Sequence, residues 1–132
     1  MILSQGSIDI TKLIDEQRES ISSIRIKAFK ASNDMISCLR FQEGHLGVLR
    51  SFGFKVSSTQ EDWMLSDDAY VILVESMDSS RVYGGARLEF CNKDRLVPIQ
   101  SALADLAPEI NDFISNKKSS QMAELCGLWN SV

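Results

Sequence analysis

Two charged side chains stand in otherwise apolar runs: Arg87 in "RVYGGARLEF" (81–90) and Glu124 in "MAELCGLWNSV" (122–132). A guanidinium there is expensive unless it is paired or reaches water. Its planar fork suits a carboxylate or phosphate on a ligand. It can equally point outward, or pair with Glu89, Glu124 or another carboxylate of the chain. Glu124 is the candidate general base: a carboxylate whose pKa is raised by burial accepts a proton from a nucleophile, directly or through water. Its structural alternative is a salt bridge to Arg87 across a sheet. Trp63, Trp129 and Tyr83 are aromatics that either pack or line a pocket, and Tyr83 adds a phenol. Gly84 and Gly85 mark a β-bulge, a close backbone approach, or a strand thinned to admit a substrate.

Other nucleophile and metal chemistry has little to build on. Cys38, Cys91 and Cys126 are scattered, with no C-x-x-C, and His45 is the sole histidine, so no zinc or other metal site is expected. A catalytic cysteine would need His45 as its base. That residue, near Gly44 and Gly47, reads as a solvated loop position. Cys126 shares strand parity with Glu124 and reads as a buried, inert thiol. An odd number of cysteines, with no basic n-region or apolar h-region in "MILSQGSIDI", reads as reduced thiols in a cytoplasmic protein. The chain has 132 residues, a net charge of −4 and a pI near 4.9, which argue for one domain and against nucleic acid or an anionic membrane as partner. The longest basic cluster is Lys117–Lys118, and no apolar run reaches the roughly 18 residues of a membrane helix.

The elements that must position these residues follow from periodicity. Asp9 caps a helix whose apolar positions Ile10, Leu13, Ile14, Ile21, Ile24 and Ala28 predict helix through about Phe29. Asn33 or Asp34 caps a second helical stretch with Met35, Ile36, Leu39, Leu46, Leu49 and Phe52 on its apolar face. Gly44 and Gly47 predict a kink there or two short helices. Residues 57–68 read as a polar loop with Trp63 stranded in it. "AYVILVES" is apolar on both parities, which predicts a strand buried on two faces. It turns through "MDSS" into a hairpin with "RVYGGARLEF". Pro98 opens a helix with Ile99, Ala102, Leu103 and Leu106, and Pro108 ends or restarts it before Ile110, Phe113 and Ile114. "SNKKSSQ" is a connector, and "MAELCGLWNSV" is a last strand. The expected fold is α+β, a mixed or antiparallel sheet with helices packed on it. Its three expected strands leave poorly covered edges.

Two opening helices, "YVILVES", a turn and "VYGGARLEF" resemble the first half of the GNAT N-acetyltransferase fold. "GGARL", "LVPIQSALADLAP" and "AELCGLW" together look like the arrangement in acyl-homoserine-lactone synthases and N-acyl amino acid synthases. The resemblance spans about residues 10–131. It implies an N-acyltransferase that moves an acyl group from a thioester, acyl-CoA such as acetyl-CoA or an acyl-carrier protein, to a small-molecule amine. Arg87 matches the family's strand arginine and Glu124 its fourth-strand glutamate, the base for the attacking amine. Trp63, Tyr83 and Arg87 would contact the substrate. Leu128, Trp129, Asn130 and Ser131 match the place where the strand splays to hold the thioester and pantetheine arm. The lactone synthases carry an arginine just after that glutamate, where this chain has Gly127 and Leu128. The resemblance also implies that residues 1–132 lack the half-domain bearing the pyrophosphate loop, since "GGAR" lies in a strand with no helix N-terminus after it. The implied protein is therefore an impaired acyltransferase, or a non-catalytic module that self-associates as a homodimer through "ELCGLWNSV", or one that binds a ligand.

Overall fold

In the computed structural model, residues 23–56, 61–92, 94–116 and 122–131 are described. The described elements are strand β1 (Ile24–Lys30), helix α1 (Met35–Ser51), strands β2 (Ala69–Ser76) and β3 (Val82–Phe90), short helices α2 (Pro98–Leu103) and α3 (Glu109–Ser115), and strand β4 (Ala123–Asn130). The four strands form one sheet in the order β1-β2-β3-β4, antiparallel at every step. The architecture is α+β, with α1 packed on one face of the sheet.

β1 corrects the expected opening helix over residues 24–29; the part of that helix over residues 9–22 lies outside the described residues. Ile24, Ile26 and Ala28 fit a helical stripe when read with Ile21, but they also alternate with Arg25, Lys27 and Phe29. The alternation prevails because each parity finds a different environment. Arg25 and Lys27 turn toward α1. Arg25 Nε donates to Glu75 Oε1 at 3.0 Å, and Lys27 Nζ donates to Asp34 Oδ2 at 3.0 Å and Ser37 Oγ at 2.7 Å. Glu75 is fully buried and also accepts from Arg40 of α1. Burial alone would raise its pKa; the Arg25 and Arg40 hydrogen bonds and charges outweigh that and hold it below the usual value.

α1 is capped by Asp34, whose side chain accepts the Ser37 N–H at 3.0 Å. It runs unbroken for 17 residues, so the expected kink is absent. Gly44 has a packing reason instead: a Cβ there would lie 2.5 Å from Trp129 Cζ2 and nearer still to Cη2. The polar segment before β2 holds a 3₁₀ turn, Asp62–Leu65, that carries Trp63 and Met64 into the core at 1% exposure each. Residues 57–60 of the expected loop, and 117–121 of the later connector, lie outside the described residues. Trp63 and Trp129 flank Phe41 edge-on, with ring centroids 6.0 Å away in both cases. Ala31, Cys38, Ala69, Val71 and Leu73 complete that core.

β2 departs from its expected burial on two faces. Ala69, Val71, Leu73 and Glu75 are buried against α1, while Tyr70 and Ile72 on the other parity are 39% and 38% exposed. The register continues this outer face across the sheet: Ile26 beside Val74, Ile72 beside Ala86, Leu88 beside Leu125. It is apolar nearly throughout, and a depression of about 510 Å³ opens on it between Ala28, Tyr70, Ile72, Leu88 and Phe90.

Candidate functional site on the inner face of β3 and β4

The hairpin and the last strand set the site. In the β3–β4 register Arg87 faces Cys126 and Glu89 faces Glu124, so all four share the inner face beneath α1. The register shifts between Gly85 and Arg87, opposite Gly127, whose φ of 64° lies in the left-handed region that glycine enters freely. A Cβ on Gly127 would sit 3.3 Å from the His45 ring, so the bulge also brings β4 up to α1. His45 is thereby a helix residue at the site rather than a solvated loop residue.

Gly84 and Gly85 are packing glycines. A Cβ on Gly84 would meet Trp129 O at 2.6 Å, and one on Gly85 would meet Ile72 O at 2.5 Å and Phe41 Cδ2 at 2.9 Å. The space that a side chain would take is filled by β2, β4 and α1. "RVYGGA" (81–86) also has the R-x-x-G-x-A spacing of a phosphate loop, but residues 82–86 lie within β3 with no helix following.

Arg87 is held inside the protein. Its Nε lies 3.0 Å from Glu89 Oε1, and its Cζ sits 4.5 Å above the Trp63 ring. Glu89, 1% exposed, is also gripped by Arg95, which reaches on to Asp62 Oδ1 at 3.3 Å. Of the partners open to Arg87 on sequence, the geometry selects Glu89. Glu124 is engaged elsewhere, where its Oε2 accepts the Ile99 N–H at 2.9 Å and so closes the N-terminus of α2. Val97 N–H donates to Gln100 Oε1 at 3.1 Å at the same end.

The thiols and the imidazole respond to burial and to Arg87. Burial, with a lesser push from Glu124, lifts Cys126 to about 11 against the pull of Arg87. Burial and Asp34 lift Cys38 to about 11, again against Arg87. Burial, then the Arg87 charge, holds His45 below its usual value.

The other sequence candidates scatter. Trp63 is beneath Arg87, but Tyr83 stacks under the Arg81 guanidinium at 5.1 Å. Across Leu128–Ser131 the expected splay from β3 does not occur. Asn130 pairs with Gly84, Trp129 with Gly85, and Ser131 N–H donates to Tyr83 O at 2.8 Å. Trp129 is buried, whereas Leu128 is 70% exposed. Sequence reasoning passed over Arg95 and Asp62, whose signal lay in spacing: Glu89 and Arg95 flank a short loop that returns to the same strand end.

No family model, curated protein or solved structure matches the chain. Among the described residues no helix is long and apolar enough to cross a membrane.

Proposed function

We propose that this chain carries the acceptor side of a GNAT-like N-acyltransferase site, moving an acyl group from a thioester to a small-molecule amine. The supporting observation is the register of β4 against β3, which sets Glu124, Arg87 and Cys126 on one inner face beside the Gly127 bulge. In the proposed step the amine nitrogen attacks the thioester carbonyl. The C–N bond forms, the C–S bond breaks, the thiolate leaves and takes up a proton, and Glu124 receives the proton shed by the amine. Oε2 is engaged by Ile99, so Oε1 is the accepting atom. Arg87, neutralised by Glu89, orients the acceptor and Trp63 supports it.

The donor's two parts fit unequally. A pantetheine arm needs an extended backbone edge, and β4 is the last strand of the described sheet. Ser131 N–H faces β3, so by antiparallel alternation Asn130 presents N–H and C=O to the open edge. A pyrophosphate needs free N–H groups at a helix start. At α1 the Ser37 N–H is met by Asp34, and at α2 the Ile99 and Val97 N–H groups are met by Glu124 and Gln100. At α3 the Ile110 and Asn111 N–H groups donate back to Ala107 O and Pro108 O in a first turn that carries Glu109 and Asp112. The described residues therefore fit the pantetheine arm and not the nucleotide, and an acyl-pantetheine or acyl-carrier protein serves as well as acyl-CoA.

The test is thiol release from acetyl-CoA, a longer acyl-CoA and acyl-pantetheine in the presence of amines, with calorimetric titration of each donor. The expected result is weak binding with no micromolar CoA affinity, slow amine-dependent release of similar rate for CoA and pantetheine donors, and a loss of about 10²-fold in Glu124→Gln. Glutamine keeps the Ile99 cap and loses only the base. Micromolar CoA binding would refute the donor argument, and release indifferent to Glu124→Gln would refute the base. A second reading, a ligand-binding module without turnover, is favoured by the Ile99 cap and the Arg87–Glu89 pair, which give both candidates structural work. Saturable donor binding with no thiol release identifies it.

A further inference from the structure

We infer that the outer face of the sheet is the contact between two copies of this chain, packed sheet on sheet about a two-fold axis. This is independent of the acyl-transfer reading, which concerns the inner face. It also differs from edge-to-edge pairing through the terminal strand.

Exposure identifies the surface. Ile26 is 65% exposed, Leu125 56%, Tyr70 39% and Ile72 38%, and the register joins them through Leu88 and Phe90 into one face spanning all four strands. Isolated exposed apolar residues are ordinary; a contiguous apolar face is not.

Area and charge argue for a second copy as the occupant. Strands of 7, 8, 9 and 8 residues, rising about 3.3 Å per residue and spaced about 4.8 Å apart, give a face of about 500 Å². Two such faces bury about 1,000 Å², the size at which a specific interface begins. Lys30 is the one formal charge at the register positions of this face, at its rim, so two copies meet there without a repelling charge cluster although each chain carries a net −4. Flat apolar sheets pack about 10 Å apart with their side chains interdigitated, which an isologous contact satisfies using one surface twice.

Sedimentation and light scattering from micromolar to millimolar concentration are expected to show a species of about 30 kDa, twice the 14.8 kDa chain. Ile26→Lys and Leu125→Lys, both on exposed positions of the edge strands, should return it to 14.8 kDa with an unchanged far-ultraviolet spectrum. Asn130→Pro, which blocks the open edge of β4, should leave the dimer intact. Hydroxyl-radical labelling of Tyr70 and Phe90 in the unaltered chain should fall as concentration rises. A monomer throughout, or a dimer lost in Asn130→Pro and kept in both lysine variants, overturns the inference. So does labelling of Tyr70 that is low at every concentration, since residues 1–22 or an apolar ligand would then cover the face.

Discussion

Gly44 and Gly47 lie one turn apart on α1, and substituting each by alanine should change stability in opposite directions. In a helix interior glycine is about 1 kcal/mol less favourable than alanine because it surrenders more backbone entropy. A Cβ on Gly47 meets nothing within 4 Å, so Gly47→Ala should recover most of that, about 0.5–1 kcal/mol. On Gly44 the same atom lands 2.5 Å from Trp129 Cζ2 and 2.9 Å from Cζ3. The indole is 7% exposed and packed edge-on to Phe41, so it has no flexible end to move aside. Relieving the clash means shifting α1 from β4, an overpacking cost of about 1–3 kcal/mol. Less the helical gain, Gly44→Ala should destabilise by up to about 2 kcal/mol. At this chain length each kcal/mol moves the midpoint by about 4 °C. Urea and thermal unfolding followed by Trp fluorescence and circular dichroism read both variants. A Gly44→Ala protein stabilised as much as Gly47→Ala would show that Trp129 does not seat on this helix and would remove the contact that fixes β4 beneath α1.

The remaining expectations concern the buried charges and thiols. Because the folded pKa of Glu75 is depressed, its contribution to stability is fully present above its unfolded value near 4.5 and is lost as pH falls through the folded value. Glu75→Gln should cost about 2 kcal/mol at neutral pH, because Arg25 and Arg40 lose their partner yet still reach solvent. It should also flatten the acid limb of an unfolding-versus-pH curve; an unchanged limb would assign acid sensitivity elsewhere. Cys38, Cys91 and Cys126 are free and buried, and burial lifts the first and last to about 11. An aromatic disulfide reagent at about pH 8, below the ordinary thiol pKa, should therefore react slowly with the native chain and with all three thiols after urea. Fast native labelling would contradict their burial. Asp34→Ala removes the α1 cap and an acceptor of Lys27, and should cost about 1 kcal/mol by urea unfolding.

What the sequence hid was hidden by distance along the chain. The hairpin and last strand were legible because their signals are local: apolar runs, turn residues and a glycine pair. β1 was not, since Ile21, Ile24 and Ala28 satisfy a helical stripe while Ile24, Ile26 and Ala28 satisfy alternation. What decides between them is Glu75, 50 residues away from Arg25. Trp63 sits in a polar run that reads as loop, and residues on other elements, Phe41 and Arg87 among them, make it core. Glu124 drew a catalytic reading because the helix it caps begins about 25 residues upstream, a relation that no local window contains.

"AYVILVES" is apolar on both parities, the pattern of a strand that is covered twice, yet α1 covers only the parity of Val71 and Leu73. A strand with one face in water gains from polar residues there, as alternating sheets show. Ile72 and Val74 opposite Ala28, Ile26 and Ala86 run against that economy at several positions of three neighbouring strands, so chance at a single site does not explain them. Leaving such a face wet forgoes about 25 cal/mol for each Å² of apolar surface, on the order of 10 kcal/mol over about 500 Å². That is comparable to the whole stability of a domain this size. The sequence is therefore written for a sheet with two covers, of which α1 is one. If Ile26→Lys and Leu125→Lys changed neither assembly nor Tyr70 labelling, the second cover would have no energetic role and the apolar parity of β2 would need another cause.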